Sequence, residues 1–108
     1  VIFSDLLKIV VDGGYAVRAY EDCARRARSR IPSEPQNAAA LLLISYAAQR
    51  FVDAYDDQPL PVDEANDELT RFSSMLGTLD ESLASGDPEK ELSGLNSVAA
   101  RIFEAVNA

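Results

Sequence analysis

The alternation of three- and four-residue steps between apolar side chains constrains this chain more than any other feature. Four such stripes are present: Val17, Tyr20, Ala24, Ala27 and Ile31; Leu41, Ile44, Ala48, Phe51 and Tyr55; Val62, Ala65, Leu69, Phe72, Leu76, Leu79 and Leu83; and Leu92, Leu95, Ala99, Ile102 and Val106. This spacing is typical of the narrow seam along which helices pack nearly parallel or antiparallel. The stripes predict an all-α fold, an antiparallel up-down-up-down four-helix bundle.

Three short segments rich in helix breakers separate the stripes: "IPSEPQ", "DQPLP" and "SGDP". Connections this short favour antiparallel neighbours. Ser33 with Gln36 is a predicted capping box before the second stripe, and Asp87 followed by Pro88 is a predicted helix start before the fourth.

The first segment, "VIFSDLLKIVVDGG", is predicted to be a short extra N-terminal helix that ends at Gly13 or Gly14. The predicted helices therefore span residues 4–12, 15–31, 35–57, 62–85 and 88–107. A chain of 108 residues is expected to form a single domain, residues 1–108, and to bury about 60 to 70% of the surface that its unfolded form exposes.

The helix predicted over 35–57 carries apolar side chains on the face opposite its stripe. In its N-terminal half this outer face holds Ala39, Leu42, Leu43 and Tyr46, whereas its C-terminal half is polar. If Leu42, Leu43 and Tyr46 stayed exposed, the chain would lose the free energy of burying them, roughly 1.5 to 3 kcal/mol for each side chain. Because exposed apolar patches usually mark contact surfaces, we expect this face to be covered.

Two structures could cover that face, and the sequence leaves both open. Segment 1–12 could fold back across it as an internal lid, or a second copy could bind there about a two-fold axis. Both hold if segment 1–12 is exchanged between subunits. The interface candidates are Phe3, Leu7, Val11, Leu42, Leu43 and Tyr46.

The acidic stretch "DAYDDQPLPVDEANDE" is the strongest candidate for chemistry. Asp53 and Asp56 end one predicted helix, Glu64 and Asp67 begin the next, and a helical hairpin would bring the two pairs together. Carboxylates paired in this way can hold Mg²⁺ for phosphate chemistry. The layout is similar to the paired-acid arrangement of all-helical, MazG-like nucleotide pyrophosphohydrolases, with Asp at both acids of the first pair and a shorter spacing between the pairs. The resemblance covers residues 53–67 and implies a Mg²⁺-dependent nucleotide phosphate hydrolase.

A simpler interpretation of the same acids is a solvated acidic end of the bundle. Asp53, Glu64 and Asp67 project away from the apolar stripes, whereas catalytic carboxylates in a bundle project inward. Acids in the first turn of a helix also complement its dipole.

Composition argues against several classes of function. The chain has no histidine, which removes His-dependent catalysis and the Glu-x-x-His pairs of di-iron bundles. Its single cysteine, Cys23, has no partner for an internal disulfide and is interpreted as a small buried hydrophobe in a reducing, cytoplasmic setting. The longest apolar run is too short to span a bilayer, and a net charge of -8 opposes binding to phosphate backbones. We therefore expect no membrane or nucleic-acid partner, and no cofactor other than Mg²⁺.

Four arginines lie in "EDCARRARSR", residues 21–30. Arg25 and Arg26 each follow an acidic residue by four positions, which is the favourable orientation for ion pairs on a helix. Arg28 and Arg30 have no such acid and are expected to meet acids of neighbouring helices. The stretch therefore indicates a capped, ion-paired helix rather than a site for anions.

These features predict a small acidic helical-bundle module for protein–protein interaction. We expect it to self-associate as a homodimer and to bind a partner protein, which its acidity suggests is basic. The function expected is binding rather than catalysis. The alternative is the Mg²⁺-dependent hydrolase that would use Asp53, Asp56, Glu64 and Asp67.

Overall fold

A computed structural model describes residues 2–107 of the chain, with side chains described through residue 104. These residues form five α-helices: α1 (Ser4–Asp12), α2 (Val17–Arg30), α3 (Ala38–Tyr55), α4 (Val62–Ala84) and α5 (Pro88–Asn107). The helices pack compactly, and residues 2–107 contain no strand, so the all-α prediction is confirmed. None of these helices combines the length and the apolar character needed to cross a membrane.

The loops shift several predicted helix boundaries. Helix α2 begins at Val17 rather than at residue 15 because Gly14 and Tyr15 both adopt left-handed backbone conformations, with φ of 69° and 63°. Two 3₁₀ turns, Ile31–Ser33 and Pro35–Asn37, delay the start of α3.

The two predicted helix starts differ in outcome. The capping box predicted at Ser33 is wrong: its hydroxyl donates to the carbonyl of Arg30 at 3.1 Å, and α3 begins without a side-chain cap. The start of α5 is confirmed, because the backbone N–H of Glu89 donates to Asp87 Oδ1 at 3.0 Å and Pro88 is the first helical residue.

An aromatic cluster joins α2, α3 and α4 at the centre of the core. Tyr20 of α2 stacks on Phe51 of α3 with ring centroids 4.0 Å apart. It also forms a T-shaped pair with Phe72 of α4, with centroids 5.4 Å apart. Ring pairs of this kind add about 0.5 to 1.5 kcal/mol beyond their burial, so the cluster fixes how the pair α2 and α3 packs on α4.

Helix α1 packs on α2 and is tied to the far end of α4. The backbone N–H of Phe3 donates to Asp80 Oδ1 of α4 at 2.9 Å, and Arg30 donates to the carbonyl of Ile2 at 3.2 Å. Among the described residues of this segment, Phe3, Leu6 and Val10 have fully buried side chains. The N-terminal segment is therefore part of the core.

The side chains of the first three predicted stripes lie in the core or pack against it, apart from Val62, which is 74% exposed at the start of α4, and Ala65, which is half-buried. The fourth stripe is wrong in part. Leu92 is 60% exposed and Ala99 is exposed, while Val98 and Ile102 are the buried side chains in the part of α5 whose side chains are described. Val106 lies outside the residues whose side chains are described.

Close contact between α4 and α5 explains this rotation of α5. A Cβ built on Gly94 would lie 2.5 Å from the Cβ of Ser82 on α4 and would collide with the Ser82 hydroxyl. Only glycine allows the two backbones to approach this closely. The glycine side of α5 therefore faces α4, and Leu92 turns toward solvent.

Candidate functional site

The outer face of α3 carries the exposed apolar surface that the sequence predicts. Leu42 is 58% exposed and Tyr46, one helical turn later, is 57% exposed. Ala39 is exposed on the same face, whereas Leu43 is half-buried against the core. We refer to Ala39, Leu42 and Tyr46 as the α3 patch.

The N-terminal segment does not cover the α3 patch. Its principal neighbour is α2, and Leu42 and Tyr46 stay more than half exposed with the segment in place. An internal lid over these two side chains is therefore wrong.

The three interface candidates of the N-terminal segment differ in accessibility. Phe3 is fully buried, so it is unavailable to a partner without unfolding and drops out of the candidate interface. Leu7 is half-buried against the core, and Val11 is 43% exposed on α1.

The four predicted metal ligands are all exposed around the loop between α3 and α4. Gln49 donates to Asp53 Oδ1 at 3.0 Å, and the Tyr55 hydroxyl donates to Glu64 Oε2 at 3.2 Å. Asp56 lies at the end of α3, and Asp67 lies in the second turn of α4. No group of three or more His, Cys, Asp or Glu that could hold a metal is found among the described residues, so these carboxylates are not gathered into such a set.

Sequence reasoning missed a groove formed by α3, α4 and α5. Its volume is about 630 Å³. Its lining includes three arginines, a buried glutamate and two apolar side chains: Arg50, Glu68, Arg71, Met75, Arg101 and Ile102. We call this feature the arginine groove.

Glu68 holds two of the groove arginines. It is 9% exposed, and it accepts hydrogen bonds from Arg50 at 3.2 Å and from Arg71 at 2.5 Å. The hydrogen bond to Glu68 raises the pKa of Arg71 above its ordinary value. A buried carboxylate is tolerated because each of its oxygens has a cationic partner.

Arg101 is held by hydroxyl groups instead. It donates to Ser74 Oγ at 3.3 Å and to Thr78 Oγ1 at 3.0 Å across the contact with α4, and to Ser97 Oγ at 3.4 Å on its own helix. Among the described residues no carboxylate forms an ion pair with it.

One residue of the arginine groove, Glu68, could have been recognised from the sequence. Glu68 lies four residues before Phe72, on the inner face of α4, and a charged residue at such a position usually has a buried partner. Arg50 and Arg101 gave no signal, because half-exposed arginines beside an apolar stripe are ordinary.

Helix α2 carries ion pairs and an unreactive thiol. Arg25 pairs with Glu21 at 3.2 Å and with Asp22 at 3.1 Å. Arg30 meets Asp5 of α1 at 2.8 Å, as expected of it, whereas Arg28 forms no ion pair within the described part of the chain. Burial raises the pKa of the Cys23 thiol to about 12, so the interpretation of Cys23 as a buried hydrophobe is confirmed.

Comparison with protein-family models, with curated proteins and with solved structures finds no match. The function is therefore inferred from the chemistry of the α3 patch and of the arginine groove.

Proposed function

We propose that this chain is a small acidic protein-interaction module that self-associates through the α3 patch. The observation that carries the proposal is the exposure of Leu42 and Tyr46 on adjacent turns of a helix whose opposite face is core. Covering each side chain would contribute roughly 1.5 to 3 kcal/mol. A second copy of the chain is present wherever the chain itself is, so it is always available to cover the α3 patch. Two-fold interfaces are the commonest type in homo-oligomers.

The residue order along α3 suits an antiparallel pairing of two copies. With a two-fold axis near Leu42, the Tyr46 ring of one copy lies over Ala39 of the other, where the small side chain leaves room for it. A stable dimer buries about 800 Å² on each partner. Leu43, half-buried on the same helix, and Val11, 43% exposed on α1, are the remaining interface candidates for extending the contact.

The acidic surface supports a second contact, to a basic partner protein. The chain carries a net charge of -8, and the exposed carboxylates between α3 and α4 concentrate negative charge at one end. A field of this sign accelerates association with a basic surface and repels acidic ones.

The proposal extends to the directions of the helices in the bundle and to the cellular compartment. We propose that α2 to α5 follow an up-down-up-down course, which the short connections and the contacts between consecutive helices support. We also propose a cytoplasmic setting, on the ground that the single cysteine has no partner for an internal disulfide.

Replacing Leu42 tests the self-association. Sedimentation analysis of the wild-type chain at tens of micromolar is expected to give twice the chain mass of 11.7 kDa. Leu42→Asp is expected to give the single-chain mass with unchanged helical content, because Leu42 is exposed within the chain and its replacement leaves the core intact.

Val62→Asp is the matched control. It places the same charge on an exposed apolar position, outside the α3 patch, and is expected to leave the dimer intact. A wild-type chain that sediments as a monomer, or a Leu42→Asp chain that remains a dimer, would show the proposal to be wrong.

A further inference from the structure

We infer that the arginine groove binds a small organic anion, one with a carboxylate or phosphate head and an apolar body. The inference is independent of self-association, since it concerns a cavity formed by α3, α4 and α5 within one chain. A volume of about 630 Å³ is within the range of small-molecule sites.

Arginines outnumber carboxylates in the arginine groove, although the protein as a whole is acidic. Arg50, Arg71 and Arg101 face two carboxylates there, those of Glu68 and Glu104, whereas the whole chain carries a net charge of -8. An anion is repelled by most of the surface, so it gains a favourable field only where guanidinium groups outnumber carboxylates.

Internal hydrogen bonds orient Arg50 and Arg71 but use only some of the N–H donors of each guanidinium group. Arg50 and Arg71 each donate one hydrogen bond to Glu68 among the described residues, and a guanidinium group has five N–H donors. Glu68 thus orients two arginines while leaving most of their donors to the groove. Because less rotamer freedom is lost on binding, arginines held in this way bind an anion at a lower entropic cost.

Arg101 is the groove arginine that forms no ion pair among the described residues. Its partners are the hydroxyls of Ser74, Thr78 and Ser97, which orient the guanidinium without neutralising it. Planar guanidinium groups match carboxylate and phosphate oxygens in two-point hydrogen bonds. The head group of the ligand is therefore assigned to the region between Arg101 and Arg71.

The apolar side chains of the groove define the rest of the ligand. Met75 is half-buried and Ile102 is 5% exposed, and both line the cavity. A hydrocarbon or aromatic body lying on them would remove apolar surface from water, which an inorganic anion cannot do. Methionine adapts to the shape of such a body.

Titration followed by ¹H–¹⁵N correlation spectra at constant ionic strength tests the inference. Phenyl phosphate and phenylacetate, which represent the two head groups, are expected to shift amides of residues 68–75 and 98–104 in a saturable way. Inorganic phosphate is expected to bind about tenfold more weakly than phenyl phosphate because it lacks the apolar body. Benzyl alcohol, which lacks the charge, is expected to cause no saturable shift.

Two variants and a matched control locate the site. Arg101→Gln and the more exposed Arg71→Gln are each expected to weaken phenyl phosphate binding about tenfold, with folding confirmed by circular dichroism. Arg28→Gln removes the same charge from an exposed position on α2 and is expected to leave the affinity unchanged. The titration is repeated on Leu42→Asp, so that loss of self-association and loss of anion binding are scored separately.

The inference is overturned if none of the organic anions produces a saturable shift, or if Arg101→Gln and Arg71→Gln bind as tightly as Arg28→Gln. Equal affinity for inorganic phosphate and phenyl phosphate would also overturn it, because the apolar side of the groove would then take no part.

Discussion

Tyr20 combines two ring contacts in the core with a hydroxyl whose burial is unfavourable. Its ring stacks on Phe51 and forms a T-shaped pair with Phe72, and its side chain is 1% exposed. The hydroxyl is nevertheless buried without a hydrogen-bond partner among the described residues. Burial, and then the nearby charge of Glu68, raise the pKa of this hydroxyl above its ordinary value, so it remains protonated at neutral pH.

We expect Tyr20→Phe to leave the free energy of unfolding unchanged or to raise it by up to about 1 kcal/mol. The substitution keeps the ring contacts and removes a buried polar group that makes no hydrogen bond, whose burial costs free energy. Urea denaturation followed by circular dichroism measures the difference. Tyr20→Ala is the control for the ring itself and is expected to cost about 3 to 5 kcal/mol. A loss above 1 kcal/mol for Tyr20→Phe would mean that the hydroxyl is hydrogen-bonded in solution.

Among the elements, α5 owes its orientation to one residue. Gly94 lets the backbone of α5 approach Ser82 of α4, and that approach turns Leu92 outward. Gly77 provides a natural comparison, because it lies inside α4 with open space where a Cβ would be.

Alanine at these two glycines is expected to have opposite effects. Gly77→Ala should raise the free energy of unfolding by about 0.5 to 1 kcal/mol, since it replaces a flexible residue inside a helix without contact. Gly94→Ala should lower it by about 1 to 3 kcal/mol despite the same gain in helix propensity, because its Cβ would overlap Ser82. Thermal and urea unfolding of both variants checks the signs. Stabilisation by both would contradict the close contact between α4 and α5.

The same contact explains what the sequence could and could not predict. The α3 patch was predictable because the face of a helix on which a residue lies depends only on its spacing from other residues of that helix. Leu42 and Tyr46 are four residues apart and lie on the face opposite the apolar stripe, as this spacing predicts. The rotation of α5 depends on the close approach of Gly94 to Ser82, which a stripe of apolar residues does not encode. The arginine groove was out of reach because Arg50 and Glu68, 18 residues apart, meet only once the rotation and axial offset of packed helices are known.

At the scale of the whole molecule, Arg30 joins the N-terminal segment to the turn that follows α2. Its side chain is 11% exposed, and it pairs with Asp5 of α1 at 2.8 Å and with Glu34 of the turn at 2.6 Å. Its guanidinium carbon lies 5.7 Å from the centre of the Phe3 ring. One cation thus connects two separate parts of the chain, the N-terminal segment and the turn that follows α2.

This arrangement predicts a loss of stability in acid that depends on Glu34. The hydrogen bond from Arg30, and then that from Asn37, lower the pKa of Glu34 from its ordinary value of 4.5 to about 2. Because the folded state holds the carboxylate in its charged form, the contribution of Glu34 is fully present above about pH 4.5. It is lost as the pH falls from there toward 2, where the folded protein also binds the proton.

We therefore expect the free energy of unfolding to fall less steeply between pH 5 and pH 2 in Glu34→Gln than in the wild type. Glu81→Gln is the matched control, because Glu81 is exposed on α4 and forms no ion pair within the described part of the chain. It is expected to keep the wild-type slope. Urea unfolding at a series of pH values, at one protein concentration so that self-association contributes equally, gives the three slopes. If Glu34→Gln kept the wild-type slope, the pairing of Glu34 with Arg30 would contribute nothing to acid stability.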